Sequence, residues 1–175
     1  MPQIRPRPAA HALPWFDDTV AQDRGADAEQ PLDALSRLQW LSTSRAFADT
    51  GGLVSGDELA ELLREQCDPD VKLQVPQPLS LVARWIVSQS VVSIDSPWGR
   101  MLPLFQFDLS RAAVHAGMRP LLAELQGVLD DVELALWFVT PNEWLNGVCP
   151  AQAMHHYLPS VRLAARTDRY VALGG

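Results

Sequence analysis

A chain of 175 residues with 47% apolar residues has room for one domain or two small ones and can bury a real core. A formal net charge of −7 argues against a protein whose main business is wrapping nucleic acid, which calls for basic patches. No apolar run approaches the ~20 residues a membrane span needs, so no membrane role is expected.

The N-terminus is proline-rich and polar rather than signal-like. The two cysteines, Cys67 and Cys149, stand far apart without a Cys-x-x-Cys partner. They read as free thiols in a reducing cytosol more readily than as a disulfide, and the expected location is cytoplasmic. Residues 1–30 are a poor candidate for a fold. Pro2, Pro6, Pro8 and Pro14 break any helix, and Asp17, Asp18, Asp23, Asp27 and Glu29 add charge. Trp15-Phe16 suits either an arm that folds back on the body or a partner-docking peptide.

Residues 31–49 read as a helix with an imperfect stripe of Leu35, Leu38, Leu41 and Phe47, ended by Gly51-Gly52. A clearer helix covers 55–66, where Ser55 and Glu58 make a capping box and Leu59, Leu62 and Leu63 an apolar stripe. Residues 71–78, with Pro76 and Pro78, read as a connector. A third helix over 79–89 buries Leu81, Val82, Trp85 and Ile86 and points Arg84 elsewhere. The period then falls to two. A strand at 90–94, a Ser96-Pro97-Trp98-Gly99 turn and a strand at 100–108 make a β-hairpin, with Pro103 marking its second strand as an edge. Helices followed by a hairpin describe a small helix-turn-helix-like module. Its outward helix would offer Arg84, Ser88 and Gln89 to DNA. Residues 31–110 carry six Lys/Arg against ten Asp/Glu, however, so phosphate neutralisation has little to draw on. The other reading of this module is a degenerate one kept for packing or dimerisation.

A helix over 117–129 keeps Met118, Leu121, Leu122, Leu125 and Leu129 in register. Asp130, Asp131 and Glu133 then suit the positive end of a helix that starts at Asp130-Asp131, puts Val132, Ala135, Leu136 and Val139 on one face and is apolar nearly all round. Pro141 stops it. Thr140 and Glu143 promise a second capping box with Pro141 at the first helical position, and Gly147 fits the left-handed residue that ends the turn. A short helix at 151–157 and a last one at 160–173 close the chain. The last one carries Arg162, Arg166, Asp168 and Arg169, with Tyr170 and Leu173 near its end. His155-His156 lack a third ligand at metal spacing, and no nucleophile, phosphate loop or dinucleotide fingerprint is visible.

The string W-F-x-T-P-N-x-x-L-x-G-x-x-P, built from Trp137, Phe138, Thr140, Pro141, Asn142, Leu145, Gly147 and Pro150, resembles the toxin-binding domain of Xre/MbcA/ParS-type antitoxins. P-L-F-Q-F-D at 103–108 resembles a junction found in longer members. The resemblance implies a mostly α protein: an arm (1–30), a helix-turn-helix-like module with a small β-hairpin (31–110) and a C-terminal helical bundle that binds toxin (111–175). It implies a non-catalytic type II antitoxin without a cofactor, whose partner is a RES-type, NAD-consuming toxin silenced by occlusion of its active site. The toxin-binding residues it points to are Trp137, Phe138, Pro141, Asn142, Trp144, Leu145 and Gly147 of the motif, and Arg162, Arg166, Arg169, Tyr170 and Leu173 of the last helix. It further implies a homodimer and repression of the chain's own promoter through operator DNA, which the acidic middle segment opposes. A DNA-binding regulator without a toxin, and an interaction module reusing the same fold, are the other readings.

Overall fold

The computed structural model describes residues 34–75 and 77–174. The expectations for 1–30, with Trp15-Phe16, lie outside the described residues. The chain is mostly helical, with two small antiparallel sheets.

Helix α1 spans Ala34–Ala46, and a 3-10 turn at Ala48–Thr50 follows. Its expected stripe holds only in part: Phe47 is fully buried, whereas Leu38 and Leu41 are exposed. Gly51 and Gly52 turn the chain with φ of 98° and 85° into strand β1, Leu53–Ser55. Ser55 then starts α2, Gly56–Gln66, through the expected capping box. The Glu58 N–H donates to Ser55 Oγ at 3.2 Å, and the Ser55 N–H donates to Glu58 Oε2 at 2.7 Å.

The first half of the stretch read as a connector belongs to a helix, α3, Pro69–Gln74, because Pro69 suits a first helical turn. Helix α4, Pro78–Val87, follows. Strands β2, Ile94–Ser96, and β3, Gly99–Pro103, form a hairpin where one was expected, although only Ile94 of the expected first strand, 90–94, belongs to it. Ser96 Oγ accepts the Trp98 N–H at 3.1 Å and donates to the Gly99 carbonyl at 2.7 Å.

Two further expectations about this hairpin are corrected. β3 is the central strand of a sheet ordered β1-β3-β2, not an edge. Pro103 is tolerated because it is the last residue of the strand, opposite Leu53 and beyond the reach of β2, which pairs only as far as Met101. Nor does the strand run on to Asp108. Leu104–Gln106 turn as a 3-10 helix, and β4, Phe107–Asp108, pairs instead with β5, Ala113–Val114.

Gln106 explains that break. It is fully buried, and its side-chain amide substitutes for a strand partner. Oε1 accepts the Val92 N–H at 2.8 Å, and Nε2 donates to the Val92 carbonyl at 2.9 Å. Its backbone carbonyl accepts the His115 N–H at 2.7 Å.

Helix α5, Met118–Leu125, ends sooner than expected, since Gln126 leaves the helical region and Gly127 has φ of 80°. Helix α6 is Asp131–Val139, α7 is Pro150–Ala153 and α8 is Leu158–Ala172, with Pro159 in its first turn. Leu134, Ala135 and Phe138 form the buried face of α6, whereas Val132, expected on the core side, is exposed.

Two apolar clusters result, and the three-stranded sheet lies between them. Leu59, Leu63, Leu81, Val82 and Leu102 centre the first. Phe47, Ile94, Leu121, Leu125, Phe138 and Val161 centre the second. Adjacent strand residues serve opposite sides, as a pleat requires: Leu53 packs on the second cluster and Val54 on the first. Both cysteines are buried free thiols. Among the described residues no helix is long and apolar enough to cross a membrane.

Candidate functional site

The site is built where the corner after α6 meets α8. Asp130 opens α6 with a capping box: the Glu133 N–H donates to Asp130 Oδ1 at 2.8 Å, and the Asp130 N–H donates to Glu133 Oε2 at 3.0 Å. Pro141 holds Thr140 extended, at φ −84° and ψ 135°, and the helix ends.

The expected Thr140–Glu143 capping box is absent. The Thr140 hydroxyl donates back to the Leu136 carbonyl at 2.8 Å, one turn earlier, and Pro141 stays outside any helix. Asn142 caps instead: its Oδ1 accepts the Trp144 N–H at 2.9 Å and starts a 3-10 turn, Glu143–Leu145. The Asn142 carbonyl accepts N–H groups from Leu145 (3.0 Å) and Gly147 (2.9 Å), which closes the corner. Asn146 and Gly147 end it at φ of 55° and 81°. No atom crowds a Cβ built at Gly147, so the backbone angle, not space, favours glycine there.

One carboxylate ties this corner to the last helix. Asp168 Oδ2 accepts the Trp137 indole N–H at 2.8 Å and the Asn142 side-chain N–H at 2.8 Å. Asp168 Oδ1 accepts the Trp144 indole N–H at 3.1 Å. Three polar groups of the motif therefore converge on one ionised acceptor, the strong form of hydrogen bond. Phe138 and Leu145 are buried below them, and Phe138 packs against Phe105 with ring centroids 5.1 Å apart. These two motif residues build the platform and are not surface. Pro141 and Trp144 are exposed, while Trp137 and Asn142 are half-buried.

A second carboxylate gathers the arginines. Glu124 of α5 accepts from Arg166 Nε at 2.8 Å and lies 3.7 Å from Arg162 and 4.0 Å from Arg169. The Arg166 hydrogen bond, helped by the three positive charges, holds the Glu124 carboxyl below its ordinary value against the opposing effect of burial. Arg162 Nε is buried without a hydrogen-bond partner. Val161, Ala164 and Ala165 bury the inner face of α8. Leu163, Arg166, Tyr170 and Leu173 follow at steps of three, four and three along its outer face. Leu163, Tyr170 and Leu173 are each about two-thirds exposed (65%, 66% and 66%), which is surface no part of the described chain covers.

The residues read as DNA contacts lie elsewhere. Arg84 is exposed on α4. The Ser88 hydroxyl contacts the Trp85 carbonyl and Ser90 Oγ, and the Gln89 carbonyl accepts from Gln126 Nε2 at 3.1 Å. The same outward face carries exposed Leu79 and Val87.

Among the described residues, no three His, Cys, Asp or Glu side chains lie close enough together to hold a metal ion. His155 meets His115 edge-on, with ring centroids 4.4 Å apart.

Sequence reading missed Asp168 and Glu124 as organising residues. Their hydrogen-bond partners lie 24 to 42 positions away, so no spacing rule reaches them. The one available signal was two acids placed among or opposite arginines and indoles that needed acceptors. Comparison of the chain with protein-family models, with curated proteins and with solved structures finds no match.

Proposed function

We propose that the chain is the antitoxin of a type II toxin–antitoxin pair, which binds a RES-type, NAD-consuming toxin and occludes its active site with α8. It acts by binding and does no chemistry of its own. The observation that carries the reading is the outer face of α8. Leu163, Tyr170 and Leu173 are exposed there beside arginines, on a helix locked in place by the Trp-Phe-x-Thr-Pro-Asn corner through Asp168. A helix held rigidly on one side and apolar on the other is suited to enter a cleft with little ordering cost.

The test is to express the chain in cells with the RES-type toxin encoded beside it and follow growth and NAD. Restored growth, preserved NAD and a co-purifying complex are expected. Falling NAD with both proteins soluble and separate would sink the reading.

A DNA-binding regulator draws support from the three helices α2 to α4 set against a hairpin sheet. It is opposed by the ten acids against six bases in 31–110 and by Leu79 and Val87 on the helix that would enter the groove. A tight operator complex that weakens steeply with salt would favour it.

A further inference from the structure

We infer that Glu124 is a placeholder for a partner's carboxylates, and that the surface docking on α8 is a different protein presenting acidic side chains around an apolar patch. This rests on the toxin-binding reading and says what the toxin's contact face must be made of.

Arg162, Arg166 and Arg169 sit at steps of four and three on one side of α8 and share one carboxylate. Their mutual repulsion is only partly offset, because the cluster keeps two positive charges in excess on a chain whose net charge is −7. Only Arg166 forms a close hydrogen bond with Glu124, at 2.8 Å. The other two stand at 3.7 and 4.0 Å, in reach of the charge but without a tight bond. All three side chains remain 43–56% exposed, whereas that of Glu124 is only 16% exposed. Guanidinium donors are thus gathered and pointed outward by an acid set back beneath them. An incoming carboxylate completes pairs that Glu124 cannot, and Arg favours such forked pairing.

The neighbouring residues choose among occupants. Leu163 and Leu173 gain nothing from a phosphodiester backbone and, with the ring of Tyr170, suit an apolar groove. A second copy of this chain is disfavoured by symmetry. A two-fold contact centred on this patch would bring the two copies' arginine clusters together.

The experiment titrates the full chain with the RES-type toxin at about 0.05 M and about 0.3 M salt, a range over which exposed charges become screened. Arg166→Glu with Arg169→Glu should weaken binding by roughly a hundredfold at low salt, as loss of close interfacial charge pairs does. Glu124→Gln should bind at least as tightly as the parent. Tyr170→Ala with Leu173→Ala, both exposed and safe for folding, should weaken binding at both salts. Unchanged affinity in the arginine double variant overturns the inference while leaving the toxin reading intact.

If the parent itself does not bind the toxin, that reading fails and the surface is judged alone. Poly-glutamate and a DNA duplex are then titrated separately onto the isotope-labelled chain. Signals from the arginine Nε–H groups of α8 that move with poly-glutamate only would support an acidic protein face. Movement with DNA only, or with neither, would overturn it.

Discussion

Asp168 is the residue on which the corner depends. It accepts hydrogen bonds from Trp137, Asn142 and Trp144, and two of these donors also shape the turn itself. Asp168→Ala strands three donors at once. It is expected to cost about 2–3 kcal/mol, less than three independent charged bonds would sum to, because Trp144 is largely exposed. Thermal melting checks the cost, and red-shifted tryptophan emission checks that Trp137 and Trp144 have lost their acceptor. Phe138 is fully buried, so Phe138→Ala is expected to cost about 3–5 kcal/mol in a urea melt. The motif's apolar residues were legible in the sequence because their spacing and the following Thr-Pro are local signals. The choice of cap was not. Thr140 and Asn142 are both good caps, and only the fold shows that the Thr140 hydroxyl is taken by Leu136, which leaves Asn142 to start the turn.

At the scale of elements, α5 and α8 are joined by burial and by one acid serving three arginines. Glu124 has a lowered pKa in the folded chain. The unfolded chain therefore binds its proton first. The stabilisation is fully present above the ordinary carboxylate value of 4.5 and is lost as pH falls through the lower folded value. The stability difference between the parent and Glu124→Gln should thus be flat above about pH 5.5 and shrink on acidification; denaturant melts at several pH values measure it. A difference that grows toward acid would contradict the ion-pair account.

Gln106 makes the matching point for the sheet. Gln106→Leu leaves the Val92 N–H and carbonyl buried and unpaired, at an expected cost of about 2–4 kcal/mol. The P-L-F-Q-F-D string announced a junction but not this pairing, since alternation alone suggested one continuous strand. Helix α3 and strand β1 were hidden for a related reason. Six residues between prolines and three residues before a cap are too short for any periodicity to register.

Taken whole, residues from both halves of the chain build one sheet that serves two cores. Phe47, Val92, Ile94 and Phe105 precede residue 110 yet sit in the C-terminal cluster. The apolar spacing foretold most of the helices, and the composition enough apolar residues for such cores. It did not foretell which apolar residues would stay outside, because Leu163, Tyr170 and Leu173 share the helical spacing of core residues. Removing residues 161–175 is a poor test of α8, because Val161, Ala164 and Ala165 are core and Asp168 anchors the corner. Substitutions on the outer face separate folding from binding. The most direct measurement is NAD in cells expressing the RES-type toxin with either the parent chain or Leu163→Asp/Tyr170→Asp, after matching the two for melting temperature. The account expects the parent to preserve NAD and the equally stable variant to let it fall. Equal protection by both would show that α8 is not the neutralising surface.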